Sequence, residues 1–377
     1  MSSKAENYTM RVFYLLAIVF VVDGHMSMGH MFEMNGLFRY YSFHLMMFAF
    51  GSGYFFKLYG RPLSDLLHRA KKLMIPLYFW NLVYGVGAAL LRRLGGFELG
   101  EPLSAYTLLL APLADGEHFV WNLGSWFIFP FFCAQVFYAL VRRLSSLWHE
   151  NEWMTFLLCL IPGCVAVQLC YTGRQDILPI WMLRPMILLP GFAGGTLYRR
   201  VLERRDHLPT VPYLIGVVIL RALLCTRYEN LAYLLSDCSY FVCDAFGVYA
   251  GAALAIAFYL RISRLLAPYI GKSRLALAIS RNTFDVMMHH YMGFFALNCF
   301  FLIVHILGLG AADFSVHIFR TRSNYLYAPD GRAEWSVLYL LCGVTLPLLI
   351  GHTARAVKTR LQACLFRRRK PESGSAR

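Results

Sequence analysis

Four side chains near the start of the chain have types suited to proton transfer. His25 and His44 are near-neutral bases, and Asp23 and Glu33 are acids that could tune them. All four fall in residues 11–57, RVFYLLAIVFVVDGHMSMGHMFEMNGLFRYYSFHLMMFAFGSGYFFK, two apolar runs joined by a polar turn around Glu33 to Gly36. Ionisable groups in such runs are costly in hydrocarbon and mark a cavity or pathway. The competing reading of His25 is a histidine hydrogen-bonded between helices for packing. As a reactive group it would be a general base or a nucleophile. Asp23 lies two residues from His25, and such positions do not face each other on a regular helix. It can orient His25 only if Gly24 breaks the helix; otherwise it serves another helix. Glu33 is the alternative acid, or simply a solvated one.

The elements that carry these groups follow from composition. Of 377 residues, 58% are hydrophobic and only 15% charged, against about 25% charged in soluble domains. The apolar residues come in long blocks. The fold class expected is all-α, a polytopic membrane bundle of about ten transmembrane helices with both termini cytoplasmic. Candidate spans fall at 11–29, 37–57, 73–92, 124–143, 153–172, 180–199, 210–227, 240–260, 283–308 and 335–357. The first is read as a retained helix, since no small-residue cleavage site follows it. With the N-terminus inside, most of the 36 Lys and Arg lie on inside segments and the C-terminal tail. One transmembrane domain is expected over 1–360, with a basic, disordered cytoplasmic tail at 361–377. The net charge of +15 reads as topology and attraction to anionic membrane lipids; no basic soluble domain exists to hold nucleic acid. The ten cysteines form no metal-type CxxC pair and read as small buried hydrophobes, although Cys238 and Cys243 could pair. No metal is expected, and no internal repeat is seen.

This orientation sets depths. His25 is about 21 Å of helix from Arg11, and His44 is about 8 Å into the second span from the outside. Both histidines should then lie at one level, nearer the outer face. Arg11 and His25 are about 40° apart around the helix, so Arg11 either lines the inner mouth of the same cavity or anchors the helix. Arg69 and Lys72 are spaced i, i+3 and share a face. They suit the phosphates of a nucleotide-like donor, or are an ordinary inside-positive cluster. Asp285, His289 and His290 enter the ninth span from inside, as functional groups or as a buried polar network. His289 is placed with Arg11, Arg69 and Lys72 on the donor side.

Together these residues resemble the acyltransferase-3 family of integral membrane acyltransferases, in its branch that O-acetylates sugars and polysaccharides. VVDGH ends the first helix in a histidine, His25. SFHLMMFAFGSGYFFK is similar to the family's FFxSGY-type segment. RAKKLMIPLYFW is similar to its RxxR motif, with Arg69 and Lys72 at the basic positions. GSWFIFPFFCAQVFY and ISRNTFDVMMHHYMGFF resemble its WF-type and NTF–MMHH-type segments. The pattern departs at Tyr14, where the family usually has a basic residue, at Lys72, and at FAFGSG. The resemblance implies acetyl-coenzyme A as cytoplasmic co-substrate, and as acceptor a hydroxyl of a cell-surface or lipid-linked saccharide on the outer side. It implies a multi-pass protein of the bacterial plasma membrane. His25 would take the acyl group or deprotonate the acceptor. His44 would stabilise the oxyanion or hold the acceptor, and Asp23 or Glu33 would tune His25. The alternative function is a transporter or flippase for a lipid-linked sugar or polysaccharide; a membrane scaffold is a third reading.

Overall fold

The structure, a computed structural model, describes residues 6–26, 30–34, 36–98, 100–114, 119–147, 151–229, 231–322 and 325–368. Twelve α-helices are found among them. They are α1 (Tyr8–Gly24), α2 (His44–Tyr54), α3 (Pro62–Gly95), α4 (Ile128–Ser145), α5 (Glu152–Tyr171) and α6 (Ile180–Leu197) in the first half. The second half has α7 (Thr210–Arg227), α8 (Ala245–Ile270), α9 (Arg274–Arg281), α10 (Thr283–Ile306), α11 (Val316–Thr321) and α12 (Ser336–Arg368). Among the described residues there is no strand, only two isolated bridges, Met34 with Phe38 and Tyr233 with Phe241. Eight helices are long and apolar enough to cross a membrane: α3, α4, α5, α6, α7, α8, α10 and α12. The fold is therefore an all-α polytopic membrane bundle.

The first two expected spans are shorter than anticipated. α1 has 17 residues and α2 has 11, about 26 and 16 Å of helix. Between them, the described parts of 25–43 form mostly irregular chain with one 3₁₀ turn at Tyr40–Ser42, folded into the protein, with Phe38, Tyr40 and Phe43 fully buried. Irregular backbone at membrane depth persists only where protein or a cavity surrounds it. At the other end of the chain α12 runs on to Arg368. The expected disordered tail thus begins as helix, and residues 369–377 lie outside the described ones.

Ion pairs gather basic helix ends at one end of the bundle. Arg11 and Arg281 both pair with Glu6, at 2.8 and 3.1 Å. Arg355 of α12 reaches Asp285 at the start of α10, at 2.5 Å. Arg142 of α4 and Arg200 meet Glu152 at the start of α5, at 2.8 and 2.7 Å. Arg261 and Arg264 of α8 close on Asp206 before α7. The start of α1 and the end of α2 join through Asn7 and Tyr54, at 2.9 Å.

α2 is held against α6 by backbone contact. A Cβ on Gly53 would overlap the Phe192 carbonyl, and one on Gly195 the Phe50 carbonyl. A Cβ on Gly191 would come within 2.7 Å of the Ala49 Cβ. Gly191 and Gly195 are four apart, the small-xxx-small spacing that lets two membrane helices approach closely. Because α2 carries His44, this packing sets where that histidine stands.

Candidate functional site

α1 stops at the glycine before the histidine. The His25 amide turns back to the Val22 carbonyl (3.2 Å) and the Met26 amide to that of Asp23 (3.1 Å), so His25 is the C-cap of α1. Its ring lines a cavity of about 380 Å³ together with His44, Tyr41, Trp126, Tyr233 and Tyr291. His25 Nδ1 is buried. The two histidines are not level, however. Phe43, just before His44, packs on Phe20 with ring centroids 5.9 Å apart. His25 is five residues beyond Phe20, about 7.5 Å further along α1. The cavity spans that stagger and brings both rings to one space.

Asp23 and Glu33 do not meet His25. Asp23 is fully buried, accepts the Tyr40 hydroxyl, and accepts the amides of Met31 and Phe32, both at 3.1 Å. Glu33 accepts the Tyr40 amide at 3.1 Å. Tyr40 in turn gives its carbonyl to His44 Nδ1. A carbonyl only accepts, so Nδ1 carries the proton and the neutral ring is left with its lone pair on Nε2. Both expected acids therefore orient the second histidine through Tyr40. Gly24 does break the helix, yet the break sends Asp23 to the following loop and not to its neighbour.

Further fasteners hold this irregular segment. Arg221 of α7, fully buried, donates to the Leu37 carbonyl (2.8 Å), the Gly251 carbonyl (2.5 Å) and the Ser42 hydroxyl (2.6 Å). The Tyr41 hydroxyl donates to the Gly24 carbonyl at 3.0 Å. The Tyr41 carbonyl accepts the Tyr233 amide at 3.2 Å, tying the loop after α7 to the cavity wall.

From α10, His290 is the histidine that reaches His25, with ring centroids 4.9 Å apart, and Tyr291 stands 5.4 Å from the same ring. His290 Nδ1 donates back to the Val286 and Met287 carbonyls, both at 3.0 Å, leaving a buried, unpartnered Nε2. Gly124 lies directly over it: a Cβ there would come within 2.5 Å of His290 Cε1. His289 points elsewhere. Its Nδ1 pairs with the Tyr84 hydroxyl of α3 at 2.6 Å, and its ring lies 4.4 Å from that of Trp80.

The expected donor-side cations part company. Arg11 is engaged by Glu6 and by the Gly271 carbonyl, at 2.6 Å. Arg69 is buried, paired with Asp65 (2.9 Å) and bonded to Gln135 (3.1 Å) and the Lys57 carbonyl (2.8 Å). Lys72, one turn on, is exposed. Cys238 and Cys243 are not paired; their thiols face the carbonyls of Leu235 and Leu231.

Sequence reasoning missed Tyr41, Tyr291, Trp126 and the 233–236 loop. Only the MMHH doublet signalled α10, and the register that selects His290 over His289 is a matter of helix rotation. Chemically, the site offers one imidazole at the cavity wall, a second imidazole fixed in one tautomer, and hydroxyl-bearing aromatic rings around a partly open space. That suits proton transfer to or from a hydroxyl held among them. Searches of curated proteins and of solved structures return no match. The family model described as an acyltransferase domain matches residues 13–352. That match covers nearly all of the helical bundle and both cavity histidines, and the chain belongs to the acyltransferase-3 family.

Proposed function

We propose that this membrane acyltransferase moves an acetyl group from acetyl-coenzyme A to a hydroxyl of a cell-surface or lipid-linked saccharide. The basic end of the bundle faces the cytoplasm, and the protein resides in a bacterial plasma membrane. The observation that carries the reading is the placement of His25, the C-cap of α1, at the wall of a cavity ringed by Tyr41, Trp126, Tyr233 and Tyr291. That lining, aromatic with a few polar atoms, is what a sugar-sized ligand requires.

In the proposed transfer, His25 removes the proton of the acceptor hydroxyl as its oxygen bonds to the thioester carbonyl carbon. The carbon–sulfur bond breaks, and the coenzyme A thiolate leaves and takes up a proton. His44, with its Nε2 lone pair, accepts from the acceptor and so holds it; it can donate to an oxyanion only as an imidazolium. His290 flanks His25. On the donor side, Arg69 shapes the entrance from within its ion pair, and exposed Lys72 is the cation left to meet phosphates.

The test is transfer of radiolabelled acetyl from coenzyme A by purified protein, with His25→Ala alongside. Turnover to added saccharide that is lost in the variant supports the reading. Label retained on wild type alone makes His25 a nucleophile. Movement of a lipid-linked sugar with no thioester consumed replaces the reading with a transporter.

A further inference from the structure

A second cavity, about 470 Å³, lies on the opposite side of α2. Its walls come from α2, α5, α6 and α8, with Phe50, Phe156, Gly194, Ala253 and Leu260 among them. The lining is almost wholly apolar except at one end, where Arg205 and Asp206 close it. Ala253 is exposed at its lip, and Leu157 and Ile161 of the adjoining α5 face are exposed as well. On spanning helices such residues face hydrocarbon, so the groove opens sideways into the bilayer.

The glycines of α6 show that this space is kept open. Gly191 and Gly195 are required by contact with α2. Gly194 is not: a Cβ there would have its nearest neighbour, Phe156 Cε2, at 3.7 Å, ordinary contact distance. Gly194 faces the groove, and a larger side chain would fill it.

The polar end selects a charge. Asp206 is already neutralised by Arg261 and Arg264. Arg205 is exposed, with Arg204 beside it. The mouth is thus cationic, at the basic end of the bundle, beneath a channel of hydrocarbon character.

We propose that this groove binds an anionic phospholipid, one acyl chain lying along α6 and α8 and the phosphate at Arg205. Occupancy would press on Met46 and Phe50 of α2, the helix that carries His44, and so connect lipid composition with the cavity on its other face.

The experiment is native mass spectrometry of the full-length protein in detergent, titrated with phosphatidylglycerol or phosphatidylcholine. Wild type should retain one phosphatidylglycerol in preference to phosphatidylcholine. Arg205→Gln should cut that preference by about 5-fold, the effect of one cation near a headgroup, with phosphatidylcholine binding unchanged. Gly194→Leu should reduce retention of both lipids by about 10-fold; if it does not fold, Ala253→Phe at the exposed lip serves the same purpose. Equal retention of the two lipids by wild type overturns the proposal. So does undiminished phosphatidylglycerol on the filled-groove variant. None of the three substituted residues lines the histidine cavity, so these outcomes are independent of whether acetyl transfer is found.

Discussion

The buried carboxylate of Asp23 accepts the hydroxyl of Tyr40, and the Tyr40 carbonyl accepts the Nδ1 proton of His44. An acid on α1 thereby holds the tyrosine whose carbonyl fixes the tautomer of a histidine on α2. Asp23→Ala should remove the support of Tyr40 and strand the amide of Met31, while the Phe32 amide keeps the Tyr40 hydroxyl as acceptor. Loss of a hydrogen bond to a charged group costs about 1.5–3 kcal/mol, so a large fall in thermal stability is expected together with a fall in kcat. Asp23→Asn keeps one accepting oxygen and should recover part of both. A variant with wild-type kcat and stability would show that the link from Tyr40 to His44 is dispensable.

Much of the architecture was legible because its causes are local. Long apolar blocks and the bias of Arg and Lys are properties of composition, and the bundle obeys them. The His25–His44 cavity was legible because ionisable residues in apolar runs are rare for energetic reasons. What could not be read was partnership. Whether Asp23 turns toward His25 or toward Tyr40 depends on the path taken after Gly24, and Arg69 looks like a free cation until its pairing with Asp65 and Gln135 is seen. The expected level pairing of the histidines failed because α1 outlasts the register it shares with α2 by more than a turn.

His25→Ala should lower transfer by roughly 10²–10⁴-fold, the contribution of a positioned general base, while leaving the fold intact. His25 caps α1 through its backbone amide, which alanine keeps. Acetyl transfer and size-exclusion behaviour in detergent, measured on the same preparation, separate the two effects. Aggregation of the variant would assign His25 a structural part instead.

The adjacent histidines of α10 should behave differently. His290→Ala removes the ring packed beside His25 and should depress kcat by about 10-fold or more, with a change in the pH profile of the rate. His289→Phe leaves the Tyr84 hydroxyl unpaired and should cost about 1–3 kcal/mol of stability with little change in turnover. Reversed outcomes would mean that the cavity takes its second imidazole from the α3 side.

Arg69 and Lys72 make the same kind of contrast at the basic end. Arg69→Ala would leave Asp65 buried, with Arg143 3.5 Å away as its remaining cation, and breaking a buried pair costs about 3–5 kcal/mol. Its signature should be lost stability, with activity falling as folded protein is lost. Lys72→Ala removes an exposed charge and should leave stability within about 0.5 kcal/mol while raising KM for the acyl donor. A KM effect confined to Arg69 would instead give the buried guanidinium direct contact with the donor.

The α2–α6 contact offers the most stringent mechanical test. Gly53→Ala and Gly195→Ala each drive a methyl group into a carbonyl of the facing helix, and backbone cannot yield as a flexible side chain does. Overpacking typically costs about 1–3 kcal/mol, and both variants should sit at or above the top of that range in thermal unfolding. Any folded remnant should also lose turnover, because separating the helices moves His44 relative to His25. Gly194→Ala is the control, since its Cβ meets only ordinary contact; it should match wild type in stability and rate. If all three glycines tolerate alanine equally, α2 is not seated by backbone contact, and the position of His44 must be set from the Tyr40 side alone.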